Sequence, residues 1–335
     1  MAEYIVKFKP LENYFFGNEK TFSFKGEENQ GQKTNSYYIT SEEMPMQTTF
    51  LGTLRYILLP EKKFESVGKY SDIIGTESFD IEKTDAQDFG KIKKVSPVFI
   101  IKGSQKLIPL PADHIEGNNK YTPFSDYKEI ETPNGIKEYT TQYDAKKGVA
   151  SGFMSLSDET VYKMSDIISR DIKTGNAKLV ESDSLFKKEY CRLAKDCAFA
   201  VTAEIDAELE GEKCVAYLGQ GKTAFNVSFE KCDIGLNEEI ASVIPEKNVY
   251  VFGDTLTDNT IYDSASFAVT SVREYRSYKT KGTKVEKGSM LYNFVKAGSI
   301  FRCSDSKEKL MEKVKTDNYC KIGFNILIGG TKKCQ

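Results

Sequence analysis

The chain has one histidine, His114, and no tryptophan in 335 residues. A single imidazole cannot serve the Ser-His-Asp and Cys-His triads, multi-histidine zinc sites and H-E-x-x-H sites that would all compete for it. His114 follows the apolar run Leu107-Ile108-Pro109-Leu110-Pro111 and sits beside Asp113, as a loop histidine bonded to a neighbour would. Paired cysteine motifs are also missing. The seven cysteines, at 191, 197, 214, 232, 303, 320 and 334, form no C-x-x-C. An odd count at irregular spacing fits reduced thiols in a cytoplasmic protein. No apolar run approaches the ~20 residues that cross a bilayer. The opening MAEYIVKFKP lacks the charged-then-apolar pattern of a secretory signal. No metal site, cofactor or catalytic residue is expected.

An excess of either charge is lacking as well: 47 Lys and Arg stand against 49 Asp and Glu, for a net charge of −2. A free-standing nucleic-acid protein usually carries a basic excess. A subunit of a larger assembly can share the neutralisation of phosphates with its neighbours. What is present is a folding composition, 39% hydrophobic and 29% charged, with enough length for two domains of ordinary size.

Tyr4, Val6 and Phe8 alternate with Ile5, Lys7 and Lys9, which predicts a strand with both faces partly covered and Pro10 ending it. Phe50, Leu51, Leu54, Ile57 and Leu58 recur at helical spacing. They predict a helix from Gln47 to Leu59, capped by Thr48 or Thr49 and stopped by Pro60, with Gly52 off the stripe allowing close packing. Strands at Pro97–Lys102 and Lys106–Leu110 join through Gly103-Ser104. Strand, helix, strand, strand is the front of a ferredoxin-like unit. Residues 113–165 read as an insertion. Within it, Pro133-Asn134-Gly135 predicts a projecting, mobile hairpin, and Ser157–Ser169 a short helix. A second unit is expected from about Cys197, with strands at 197–205, 215–218, 225–230, 249–252 and 266–275. It closes on a strand at 299–302, a helix opened by Asp305 with Glu308 three residues on, and a strand at Ile322–Ile328. The fold class is therefore α+β: two ferredoxin-like (RRM-like) domains with antiparallel sheets, divided as 1–190 and 191–335.

Several stretches invite a functional reading, each beside a plainer one. Ala216–Thr223, AYLGQGKT, passes a relaxed P-loop pattern. A P-loop needs a helix straight after its lysine, whereas Ala224–Phe229 alternates like a strand. Gly219, Gln220, Gly221 and Lys222 then form a hairpin turn that presents the lysine. Gly323, Gly329 and Gly330, with Lys332 and Lys333, are either a backbone surface for phosphate or a strand with a glycine bulge and frayed tail. Arg273, Arg276, Lys279, Lys281, Lys284 and Lys287 interleave with Tyr275 and Tyr278. Such a stretch holds phosphates and stacks bases, or is a solvated loop around Gly282. Phe15 and Phe16 read as core. Glu204–Glu212 reads as a strand end and solvated turn more than as a metal site. Asn226-Val227-Ser228 matches a glycosylation sequon, with no other sign of secretion.

Taken in order, these segments resemble the RAMP proteins of CRISPR effector complexes, and among them the handle-capping subunit of type III-B (Cmr) complexes. The resemblance runs through Tyr4–Phe24 with its aromatic turn, Gln47–Arg55 and Ile108–Pro111. It continues in Ser169–Ala177 leading to Ser184-Leu185-Phe186, then Lys296–Phe301, and the glycine-rich end. GFNILIGG stands where a GFG-type run is usual, and Gln220 where glycine is common. The resemblance implies no catalytic role, a grip on the 5′ handle of the crRNA, and docking to the large polymerase/cyclase-like Cas subunit and a backbone RAMP subunit. Target RNA would be met indirectly. By position Gln47, Thr48, Thr49 and Arg55, at the start of a helix, are candidate RNA contacts. Arg170, Lys222, Arg273, Arg276, Gly329, Gly330 and Lys332 join them, with the turn glycines and Gln220. The rival reading is a RAMP endoribonuclease that processes precursor guide RNA with His114 or a tyrosine as base. A third is a nucleotide-dependent enzyme using Lys222.

Overall fold

A computed structural model describes residues 2–19, 38–60, 70–176, 185–219, 222–232, 235–281, 284–288, 290–314 and 317–333. Ala2–Pro10 forms a strand whose Tyr4, Val6 and Phe8 are fully buried on one face. It lies between Cys197–Ile205 and Thr223–Lys231, antiparallel to both. Cys197–Ile205 in turn pairs with Phe99–Lys102 and, further along, with Ile92–Val95. Spatial order 4-1-3-2 with antiparallel neighbours is the ferredoxin-like sheet. Lys213–Leu218 adds to one edge, and Gln105–Pro109, Gly152–Ser155 and Val161–Lys163 to the other, for nine strands in all. Cys197–Ile205 is almost continuously apolar because it is covered on both faces.

The helix Gln47–Leu58 covers one face of this sheet through Phe50, Leu51 and Leu54. Neither threonine caps it. Met46 holds the cap position without a side-chain bond, and Thr53 Oγ1 donates back to the Thr49 carbonyl at 2.8 Å. Gly52 faces open space with nothing within 4 Å of a Cβ there, so it serves no close packing.

The second sheet has the order Ala265–Val269, Ile300–Cys303, Asn248–Val251, Leu327–Gly329. Numbered along the chain this is 2-3-1-4, the same ferredoxin-like arrangement. Its helices are a 3₁₀ turn at Asn259–Ser264 and a short helix at Lys307–Met311, whose Ile261 and Leu310 pack on Val249, Val251 and Phe301. The helix opens at Ser306, whose hydroxyl accepts the Lys309 amide, rather than at Asp305. The opposite face, with Tyr250, Phe252, Ile300 and Ile328, meets Phe99, Ile108 and Ala200 of the first sheet. The helix Leu236–Val243 closes that shared core through Leu236, Ile240 and Val243.

A division at 190/191 therefore cuts the first sheet, whose strands between 197 and 231 belong beside Ala2–Pro10. The second unit begins only after them. Ser157–Ser169 is not a helix either. Val161–Lys163 pairs with Gly152–Ser155 as a sheet edge, and only Met164–Ile167 turns helically. An available edge outweighs a helical spacing of apolar residues. The expected strand at Ile322–Ile328 shrinks to Leu327–Gly329, because Asp317–Lys321 is helical and Gly323 and Asn325 both take positive φ.

Candidate functional site

Three segments distant in sequence meet at the junction of the two units. They are the entry to the first helix (Glu42–Gln47), Pro109-Leu110 at the end of a first-sheet strand, and Lys296-Ala297-Gly298 before a second-sheet strand. Together with Phe252–Asp254 and Ala150–Phe153 they line a largely apolar cleft of about 250 Å³. The segments are fastened to one another. Tyr250 OH donates to the Pro109 carbonyl at 2.7 Å, and Ala112 N donates to the Gly298 carbonyl at 2.8 Å. Gly298 takes φ +96°, and a Cβ there would lie 3.0 Å from the Leu110 carbonyl, so only glycine fits without displacing that backbone.

Polar groups at this cleft largely satisfy each other. Gln47 Nε2 donates to the carbonyls of Ser96 at 3.0 Å and Gly323 at 3.2 Å, tying the helix start to the second unit, while its Oε1 is buried without a hydrogen bond. Arg273 is 9% exposed, pairs with Asp254 at 3.0 Å, donates to the Met44 carbonyl at 2.7 Å, and has Glu42 at 3.7 Å. Arg170 reaches the same neighbourhood through ion pairs with Glu43 and Glu189. Gln47, Arg170 and Arg273 are thus brought together, but as groups that hold the scaffold. The acids that hold them, Glu42, Glu43, Glu189 and Asp254, escaped sequence reasoning. Only the folded positions of their arginine partners reveal them.

The remaining expected residues are scattered. Thr48 and Thr49 lie half-buried in the first helical turn. Arg55 turns inward toward the Gly75 carbonyl, and burial lowers its pKa. Arg276 binds Glu19 at 2.9 Å and the Gly288 carbonyl at 3.3 Å. Tyr275 packs in the core against Phe294 and Phe324 instead of presenting a ring for stacking. Gly329 lies against the Lys307 stem, and the Gly330 amide donates to the Asn248 carbonyl at 2.9 Å. Lys332 pairs with Glu159 at 2.6 Å. The glycine-rich end is therefore a packed strand, not an open row of amides. Gly219 and Lys222 form the hairpin turn before the strand Thr223–Lys231, both at positive φ, with Lys222 exposed. No helix follows the lysine, so no P-loop forms. Gln220 and Gly221 lie outside the described residues, as do the side chains of the basic run from Tyr278 to Lys287.

His114 is poorly placed to act as a base. Its Nδ1 accepts the Thr122 amide at 3.2 Å, and burial lowers its pKa. Asp113 beside it is fully buried and pushed up to about 6 by that burial, while accepting from Tyr121 OH and Asn248 Nδ2, each at 2.8 Å. Nothing among the described residues forms a metal-binding group of three or more His, Cys, Asp or Glu side chains. No helix among them is long and apolar enough to cross a membrane.

Two ferredoxin-like units packed face to face, joined by a glycine-shaped cleft, define a RAMP-type subunit of a CRISPR effector complex. The family model for CRISPR-associated protein (Cas_Cmr3) matches residues 6–248, and the chain belongs to that family, a subunit of type III-B effector complexes. Among solved structures, it is similar to a chain of a type III-B Cmr-beta complex bound to cognate target RNA and AMPPnP. The TM-score is 0.55 at 15% identity, covering 97% of this chain and 95% of that one. A chain of the Cmr-beta complex bound to cognate target RNA gives 0.54 at 14% identity, covering 99% and 98%. A chain of a Csm3-Csm4 subcomplex of a type III-A interference complex gives 0.42 at 14%, covering 98% and 99%. No curated protein matches the chain in sequence.

Proposed function

We propose that this subunit binds guide RNA without cutting it, caps the 5′ handle, and docks the large polymerase/cyclase-like Cas subunit and a backbone RAMP subunit in cytoplasmic antiviral defence. Target RNA reaches it only through the guide. The observation that carries this reading is the convergence of Glu42–Gln47, Pro109-Leu110 and Lys296–Gly298 on one cleft. A mostly apolar cleft with a few fixed polar groups suits the splayed base of a single strand better than it suits chemistry on a phosphate. The neutralised arginines and the engaged imidazole argue the same way.

The test is to purify the tagged protein from its host and sequence the RNA that accompanies it. Short RNAs sharing one repeat-derived 5′ end, together with a large polymerase-like subunit, are the expected result. A His114→Ala protein should carry RNA of the same length and amount. Longer, unprocessed RNA with that variant would instead favour an endoribonuclease. Recovery of no RNA at low salt would refute the reading.

A further inference from the structure

We propose that one face of the hairpin Ile168–Asn176 and Leu185–Leu193 is a stacking platform for an unpaired RNA strand, centred on Lys173, Lys188 and Tyr190. The proposal rests on the RNA-binding reading and adds a site outside the interdomain cleft. In the hairpin register Lys173 stands directly opposite Lys188, and Asp171 opposite Tyr190. Directly opposed residues share a face, and so do residues two apart on one strand. The two lysines therefore lie side by side, with Tyr190 and Arg192 following along the same face.

Like charges placed directly opposite repel each other. Among the described residues neither lysine has an ion-pair partner. The nearby acid on this face, Asp171, accepts from Asn13 Nδ2 at 2.7 Å instead. Both ammonium groups lie over the Tyr190 ring, at 5.0 and 5.1 Å from its centroid, and Lys188 also lies 3.8 Å from the Phe15 centroid. Phe15 and Tyr190 meet edge to face at 5.8 Å. Ring faces attract the cations but leave their charge unbalanced. Two backbone phosphates at this point, one to each lysine, would relieve the repulsion and draw the ammonium groups off the ring, leaving the tyrosine face to a base. Burial lowers the Lys188 pKa, in keeping with a charge held without a counter-ion. Exposed Arg192, and exposed Lys222 on the turn whose Gly219 abuts the Phe15 carbonyl, extend the positive field in a chain of net charge −2.

The experiment uses the full chain and a single-stranded RNA carrying 2-aminopurine, titrated at several salt concentrations. The Lys173→Gln/Lys188→Gln protein should show a slope of log K against log salt smaller by about 1.4, at roughly 0.7 for each phosphate no longer neutralised. Its thermal midpoint should be equal to or above the parent's, because the repulsion is gone. Tyr190→Ala should abolish the fluorescence quenching that Tyr190→Phe retains. Should the double variant fold poorly, the exposed Lys173→Gln alone should lower the slope by about 0.7. If the intact chain binds RNA and these variants match it in slope and quenching, the platform is refuted and the RNA-binding reading stands. If the intact chain binds no RNA, both fall.

Discussion

The Arg273 guanidinium lies 3.0 Å from the Asp254 carboxylate, and at 9% and 8% side-chain exposure the two charges are buried together. Asp254 also accepts the Ala297 amide at 2.9 Å, and Arg273 also donates to the Met44 carbonyl. One pair thus joins the helix entry, the second unit and the cleft wall. Arg273→Ala would leave a buried carboxylate without its cation, which typically costs about 3–5 kcal/mol. Urea denaturation should show a loss of that size. Combining it with Asp254→Asn should recover part of it. Arg273→Lys should fall between, since one ammonium replaces a planar fork that reaches both acceptors. A loss under about 1 kcal/mol for Arg273→Ala would mean that the pair does not hold the units together.

This pair also marks where sequence reading stops. The helix at Gln47–Leu58 and the hairpins Phe99–Pro109 and Tyr127–Thr140 follow from local period and turn residues, and the structure has all three. The front of the first ferredoxin-like unit was legible from the order of the opening strand, that helix and the first hairpin, while the second unit was expected to begin too early, at strands that belong to the first sheet. Which strand lies beside which was not. Cys197–Ile205 joins the first sheet through partners near residues 2–8 and 92–102, and no local pattern carries that choice. The candidate site suffered most. Arg170, Arg273, Arg276 and Lys332 looked available as basic residues in polar stretches, but each meets an acid brought close only by folding. Lys173 and Lys188 were not among the RNA contacts expected from sequence, because their opposition across a hairpin is a matter of register.

Asp113 and His114 are chain neighbours with opposite pH behaviour. Burial raises the Asp113 pKa from 3.8 to about 6. Between those values the folded chain holds more protons than the unfolded one, so this residue's contribution is full below pH 3.8 and lost as pH rises through about 6. The scale is roughly 3 kcal/mol, at 1.36 per pKa unit. His114 is lowered by burial, so its contribution is present above its unfolded value of 6.5 and falls as the solution is acidified through that value. Stability measured from pH 4 to 8 should therefore change shape in two separable ways. Asp113→Asn should flatten the fall between about pH 4 and 6. His114→Gln should flatten the rise near pH 6.5. Identical profiles for parent and both variants would contradict these environments.

Gly330 separates a structural role from the RNA-contact role first expected for it. A Cβ at this position would sit 2.1 Å from the Pro245 carbonyl and 2.4 Å from that of Ile244. Both are backbone atoms, which yield less readily than a flexible side chain. The adjacent contacts are tight too: the Gly330 carbonyl accepts Lys307 Nζ at 2.7 Å. Gly330→Ala should destabilise by about 1–3 kcal/mol, the usual cost of overpacking. RNA affinity per folded molecule, measured well below the melting midpoint, should be unchanged. A large loss of affinity with unchanged stability would restore Gly330 as an RNA contact.

The hairpin Tyr127–Thr132 and Gly135–Thr140 was expected to project and move, yet it is docked along its second strand on the second unit. Arg302 Nε donates to Glu138 Oε2 at 2.6 Å, and its guanidinium lies 4.1 Å from the Tyr127 ring centroid. Lys137 Nζ donates to the carbonyls of Tyr262 and Ala265, at 3.0 and 2.6 Å. The charge pair is mostly shielded, with both side chains near 15% exposed, so water replaces it poorly. Arg302→Ala removes an ion pair and a ring contact together. It should release the hairpin to limited proteolysis between residues 127 and 140, at least several-fold faster than in the parent. Arg302→Lys keeps the charge but loses the planar face, and should give an intermediate rate. Global unfolding should shift less than hairpin release, because neither Ile130 nor Ile136 is buried in the core. Equal cleavage rates for all three proteins would show that the hairpin is held by Lys137, Ser266 and the Tyr127–Phe267 contact without Arg302.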